Sequence, residues 1–87
     1  MLFRSKIRLR YFASIREALS LGQETWETQA ATVAELRLEL VGRGSAYAEA
    51  LGASRALRAS LDQELCDGTA RLQDGCEVAF FPPVTGG

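Results

Sequence analysis

At 87 residues the chain has the size of one small domain, which buries only about 60 to 65 % of the surface its unfolded form exposes and leaves little room for an internal cofactor cavity. Apolar residues make up 47 % and charged residues 24 %, the balance of a globular protein with a real core rather than a disordered one. The net charge of −1, with 10 basic against 11 acidic residues and no basic run, gives no electrostatic ground for a nucleic-acid partner. Met1-Leu2-Phe3-Arg4-Ser5-Lys6 leads straight into alternating sequence, so neither a membrane span nor a secretory signal is expected and cytoplasmic residence follows by default.

From Lys6 to Tyr11 the residues alternate, with Ile7, Leu9 and Tyr11 on one face and Lys6, Arg8 and Arg10 on the other, the period of a half-buried strand. Ser14-Ile15-Arg16-Glu17 matches a capping box and predicts a short helical turn to about Leu19, stopped by Gly22. Gln23 to Thr28, with its threonines and Trp26, reads as a second strand antiparallel to the first. Thr32-Val33-Ala34-Glu35 is a second capping box, and Val33, Leu36 and Leu40 follow at helical spacing to a stop near Gly42 or Gly44. Ser45 to Ser54 offers only Tyr47 and Leu51 at helical spacing before Gly52, and an irregular packed connection is expected there. Leu57, Ala59 and Leu61 alternate with Arg58, Ser60 and Asp62 as a third strand. Glu64-Leu65-Cys66 forms a short fourth strand, and Cys76 to Phe81, after the Asp74-Gly75 turn, forms the last.

Two strands, a helix and further strands, the last running out to the C-terminus, is the element order of an α+β β-grasp domain, a mixed sheet of about five strands with one main helix on one face. The domain is expected over 1–81, with 82–87 as an extended tail. The final strand should lie beside the first in the middle of the sheet. Its core should hold Ile7, Leu9, Val33, Leu36, Leu40, Leu57, Leu61, Val78 and Phe80. Histidine is absent and Cys66 and Cys76 are separated by nine residues with no further soft ligand, so no metal site or histidine acid–base chemistry is expected. Two free thiols are the expected state of the cysteines, a disulfide the alternative.

The tail carries the functional signal. A terminal Gly86-Gly87 presents a main-chain carboxylate with no Cβ to hinder its entry into a narrow pocket. Pro82 and Pro83 favour an extended path, so that Pro82 to Gly87 spans roughly 20 Å. Taken alone, a Gly-Gly end equally suits a frayed terminus. Phe81 is out of phase with Cys76, Val78 and Phe80, as Phe12 is with Ile7, Leu9 and Tyr11. Both rings, with Leu65, are therefore candidates for an exposed apolar partner surface, unless loops fold over them.

Asp74-Gly75-Cys76-Glu77-Val78-Ala79-Phe80-Phe81-Pro82-Pro83-Val84-Thr85-Gly86-Gly87 resembles the end of the small, sulfur-carrier subunits of molybdopterin synthase, ubiquitin-like proteins of molybdenum cofactor biosynthesis. Tyr11 to Glu17 and Thr32 to Leu36 resemble the family's first strand and turn and the start of its main helix, whereas 42–55 carries no such likeness. Asp62-Gln63 departs from the family's common asparagine-glutamine pair, and Cys76 stands where an aspartate is usual.

The resemblance implies a carrier rather than a stand-alone catalyst. An adenylating enzyme would spend ATP on the Gly87 carboxylate, sulfur would replace AMP to give a thiocarboxylate, and the charged tail would enter the large catalytic subunit to donate sulfur to cyclic pyranopterin monophosphate. No cofactor would be held permanently. Gly87 would carry the sulfur and Gly86 give steric access, while Phe12, Leu65 and Phe81 match the family's hydrophobic subunit contact and Pro82, Pro83, Val84 and Thr85 lead into the partner. The alternatives are a sulfur carrier of thiazole, cysteine or tRNA thiolation, a protein-conjugating modifier, and a plain β-grasp interaction module.

Overall fold

The computed structural model describes residues 4–83 and arranges them as β1 (Ser5–Tyr11), α1 (Ala13–Leu19), β2 (Gln23–Thr28), α2 (Val33–Val41), α3 (Ser45–Leu51), β3 (Arg58–Leu61), β4 (Glu64–Cys66) and β5 (Glu77–Phe81). The strands form one mixed sheet in the order β2-β1-β5-β3-β4. β1 and β5 run parallel at its centre, with Leu9 opposite Val78 and Tyr11 opposite Phe80. The two strands most distant in sequence are thus the best buried. This is the expected β-grasp, with three helices where one main helix and a turn were anticipated.

The core lies between one sheet face and the helices. Ile7, Leu9 and Tyr11 from β1 and Val78 and Phe80 from β5 meet Ile15 of α1, Val33, Leu36 and Leu40 of α2, and Ala50 and Leu51 of α3. Leu57 and Leu61, expected in the core, pack against it but remain half-buried, because β3 lies beside the edge strand where helix cover thins.

Three local readings need correction. Ser14 does not cap α1: the helix begins at Ala13 after an extended Phe12, with no side-chain cap. Ala13 itself takes a left-handed φ of 53°, which turns the chain from strand to helix one residue before the serine could act. The stretch 45–51 is a helix rather than an irregular connection. Its alanines are strong helix formers, and Tyr47, Ala50 and Leu51 supply an inward face that α1 and α2 cover. Arg37 closes its C-terminal end, with Nε donating to Leu51 O at 2.6 Å and Nη2 to Gly52 O at 2.6 Å and Arg55 O at 2.9 Å; Gly52 O also accepts from Arg55 N at 2.9 Å, whereas Leu51 O at the helix end has no other partner among the described residues. Finally, β5 starts at Glu77, one residue later than expected.

The second capping box is present in a shifted form. Thr32 Oγ1 accepts from Glu35 N at 3.2 Å, while Glu35 Oε1 accepts from Ala31 N at 3.0 Å, one residue ahead of the cap. At the β3–β4 hairpin both Asp62 and Gln63 have positive φ, 50° and 70°, the requirement of a tight two-residue turn that follows the strand twist. Asp62 Oδ1 also accepts from Glu77 N at 2.9 Å, tying the hairpin to the start of β5.

A polar cluster fastens the β2 edge to the helices. Glu24 Oε2 accepts from Tyr11 Oη at 2.7 Å, Arg43 Nη1 at 2.8 Å and Tyr47 Oη at 2.9 Å. The Arg43 guanidinium also lies 4.1 Å from the Trp26 ring centroid and 4.2 Å from that of Tyr47. Burial opposes ionisation of Glu24, but the hydrogen bonds from Arg43, Tyr11 and Tyr47 outweigh it and hold the carboxyl below its ordinary range. Burial, reinforced by the Glu24 carboxylate, raises the Tyr11 and Tyr47 phenols.

Candidate functional site

The strand ladders decide which side chains share the sheet face that the helices leave open. Arg8 and Arg10 on β1 stand opposite Glu77 and Ala79 on β5, and Ser60 and Arg58 on β3 stand opposite Ala79 and Phe81. Leu65 on β4 pairs with Ser60 and therefore joins this face. Because neighbours directly across a ladder point to the same side, Arg8, Arg10, Arg58, Ala79, Phe81 and Leu65 form one surface. Phe12 continues the β1 alternation just beyond its end, its N donating to Phe80 O at 3.2 Å.

The three apolar residues singled out from the sequence thus share the open face. Phe12 is 41 % and Leu65 60 % exposed, and Phe81 is half-buried. Loops do not fold over Phe12 or Leu65, and an apolar patch of this type is the usual mark of a partner surface.

β5 brings the tail out of this same region. Phe80 is buried at 1 % exposure and is flanked by Tyr11 on β1 and Ala59 on β3, so the chain leaves from the most constrained strand. Pro82 is half-buried and lines a shallow cleft with Ser14, Ile15, Ala18, Ala50 and Leu57, and Pro83 is exposed. The chain thus passes from buried Phe80 through half-buried Phe81 and Pro82 to exposed Pro83. Val84, Thr85, Gly86 and Gly87 lie outside the described residues, and the expectations placed on them stand as proposals.

The cysteines are free thiols, Cys76 buried in the core and Cys66 half-buried. Burial, with Asp67 nearby, pushes the Cys66 thiol up, away from the thiolate form that nucleophilic chemistry requires. No helix among the described residues is long and apolar enough to cross a membrane. Two features escaped the sequence reading. One is the Glu24 cluster, whose members look like ordinary strand and linker polar residues. The other is the setting of Arg10, which alternation made equivalent to Lys6 and Arg8.

The sequence pattern of the ThiS family matches residues 9–87, nearly the whole chain. The chain belongs to the ThiS family. Within it, the chain is 37 % identical over 81 residues to the molybdopterin synthase sulfur carrier subunit of Escherichia coli (strain K12), covering 93 % of this chain and 99 % of that protein. A solved complex of subunits 1 and 2 of the molybdopterin-converting factor from Helicobacter pylori contains a chain 29 % identical, with a TM-score of 0.62 over 94 % of this chain and 99 % of that one. The small archaeal modifier protein 1 of Haloferax volcanii, 21 % identical, superposes with a TM-score of 0.74 over 92 % of this chain and 99 % of that one, a likeness of fold. The region matched to the ThiS family includes Phe12, Leu65 and Phe81 as well as the glycine pair.

Proposed function

We propose that this ThiS-family chain is the sulfur-carrying small subunit of a molybdopterin synthase and that the Gly87 carboxyl carbon bears the transferred sulfur. The observation that carries this reading is the near full-length similarity to the Escherichia coli sulfur carrier subunit. The Helicobacter pylori complex of two converting-factor subunits supports a large catalytic subunit as partner, and the open face with Phe12, Leu65 and Phe81 is suited to receive it.

The chemistry follows from the inertness of a carboxylate. Its oxygen attacks the α-phosphorus of ATP on an activating enzyme, pyrophosphate leaves, and the acyl adenylate gains a good leaving group. A sulfide-level nucleophile then displaces AMP to give the thiocarboxylate. In the large subunit that sulfur attacks a side-chain carbon of the pterin precursor and takes the place of an oxygen substituent, which leaves as phosphate or water, and a further water cleaves the acyl–sulfur bond to return the Gly87 carboxylate; two such cycles supply the dithiolene. This chain contributes position: a rigid root at Phe80-Phe81-Pro82 and a terminus without side chains. The acid–base groups come from the partner, in keeping with a sequence that has no histidine.

The test is dithiolene formation with chemically prepared thiocarboxylate. Deleting Gly87 should leave folding and subunit binding intact yet stop product formation, because the reactive carbon falls about 3.3 Å short. One residue added after Gly87 should be equally damaging, since that carbon becomes an internal amide. Product at the wild-type rate from either variant would refute the carrier role of Gly87.

A further inference from the structure

Arg10 has an environment unlike the other arginines of the sheet. Across the ladders it faces Gln23 on β2 and Ala79 on β5, and its guanidinium carbon lies 5.3 Å from the centroid of the Phe12 ring. Its Nε is shut off from solvent and has no hydrogen-bond partner among the described residues. A buried donor left in this way is unfavourable, and native structures keep few of them. By contrast, Arg37 is held by three carbonyls and Arg43 by Glu24. Arg8, next along the face, is 66 % exposed and only 3.9 Å from Glu77.

The surrounding charge favours an anion. Lys6, Arg8 and Arg10 of β1 and Arg58 of β3 share the open face with Glu27 of β2 and Glu77 of β5, so basic groups predominate there in a chain whose net charge is −1. Glu24 also borders the cleft beside Arg10 but is engaged by Tyr11, Tyr47 and Arg43. That cleft, about 370 Å³ between Arg8, Arg10, Gln23, Thr25 and Glu77, has room for a carboxylate side chain.

We propose that Arg10 is a recognition residue for the protein partner, receiving a carboxylate from the surface of the large catalytic subunit that covers Phe12, Phe81 and Leu65. This rests on the sulfur-carrier reading. Phe12 follows two residues after Arg10 in extended backbone just past the end of β1, about 7 Å away. A partner face that covers the Phe12 ring therefore also removes the Arg10 guanidinium from water. Without an acceptor that desolvation opposes binding, whereas a carboxylate taking the terminal Nη–H groups, which unlike Nε are not shut off from solvent, offsets it and fixes the register of the two surfaces. The Phe12 ring, whose centroid is 5.3 Å from the guanidinium carbon, helps to hold the fork beside the apolar patch. The apolar patch thus supplies contact area, and Arg10 supplies orientation.

The experiment measures the affinity of the full chain for the large catalytic subunit of the same organism by titration calorimetry, at about 50 mM and about 500 mM salt. Arg10→Glu and Arg10→Gln are compared with Lys6→Glu, which makes the same charge change on the same strand face away from Phe12. Melting curves check that each variant folds, and Arg10→Gln keeps the size of the side chain should the charge reversal disturb the sheet. Arg10→Glu is expected to weaken binding roughly 30-fold or more at low salt, with Arg10→Gln intermediate, Lys6→Glu within about threefold, and the differences smaller at high salt. Folded Arg10 variants that bind no worse than Lys6→Glu would overturn the proposal. Salt-resistant binding of a duplex DNA oligonucleotide that Arg10→Glu abolishes would also overturn it, by assigning the face to phosphate. If the wild type does not bind the large subunit at all, the sulfur-carrier reading itself fails and this proposal falls with it, an outcome distinct from a wild type that binds indifferently to Arg10.

Discussion

Replacing Leu65 by Asp separates the role of the open face in partner binding from any role in folding. Leu65 is 60 % exposed on the three-residue strand β4, opposite Ser60. Burying a leucine completely is worth about 1.5–3 kcal/mol. With 60 % of its surface still open, a partner that covers it gains about 1–2 kcal/mol of that. Aspartate forfeits the gain and brings a carboxylate into a contact that excludes water, so the complex should lose about 2 kcal/mol or more, roughly 30-fold in Kd. In the free chain the same side chain meets solvent, and the cost should be limited to the poorer strand propensity of Asp, under about 1 kcal/mol. Calorimetric titration with the large subunit, beside a thermal melt of the free chain, reads both. An unchanged Kd with an intact fold would remove Leu65 from the contact, and a large fall in Tm would show that it serves the fold instead.

Phe81→Asp should weaken the complex by about 2 kcal/mol or more; because Phe81 is half-buried, some fold stability should be lost with it, and chemical denaturation separates the two effects. Thr32→Ala should cost about 1 kcal/mol by removing the cap on Glu35 N, whereas Ser14→Ala should be nearly neutral because Ser14 caps nothing; equal effects in urea titrations would contradict the assignment of caps. Glu24→Gln should destabilise the chain by about 2 kcal/mol near neutral pH, since three donors lose their carboxylate. The folded Glu24 carboxyl sits below its unfolded value, so its contribution is complete above the unfolded pKa and is lost as pH falls through the folded one. Denaturation followed over the acid range should therefore show the wild type and Glu24→Gln converging as pH falls, and a constant gap would refute the ionic account.

The sheet was legible because strand alternation is a direct record of burial: Ile7, Leu9 and Tyr11 inward, Lys6 and Arg8 outward, with Phe12 and Phe81 out of phase. The open apolar face could be anticipated from that phase alone. Helix α3 could not, because two apolar residues at helical spacing between glycines do not distinguish a helix from a packed loop, and the groups that complete it come from elsewhere. Arg37 reaches its end from α2, and Ile15 of α1 shares the core with Ala50 and Leu51. The Ser14 motif misled for a related reason. A capping box is local, while the left-handed turn at Ala13 follows from how β1 and α1 must both meet the core. Arg10 became distinct from Lys6 only when the positions of Phe12 and of β5 were known.

The central claim, that sulfur travels on the Gly87 carboxyl carbon, is tested most directly by intact-mass spectrometry after incubation with ATP, a sulfur source and the adenylating enzyme. Exchange of one carboxylate oxygen for sulfur should raise the mass by about 16 Da, fragmentation should place the increment on Gly87, and addition of the large subunit with the pterin precursor should return the mass to its starting value. A mass that stays unchanged with a competent activating enzyme, or an increment located on Cys66 or Cys76, would contradict the account.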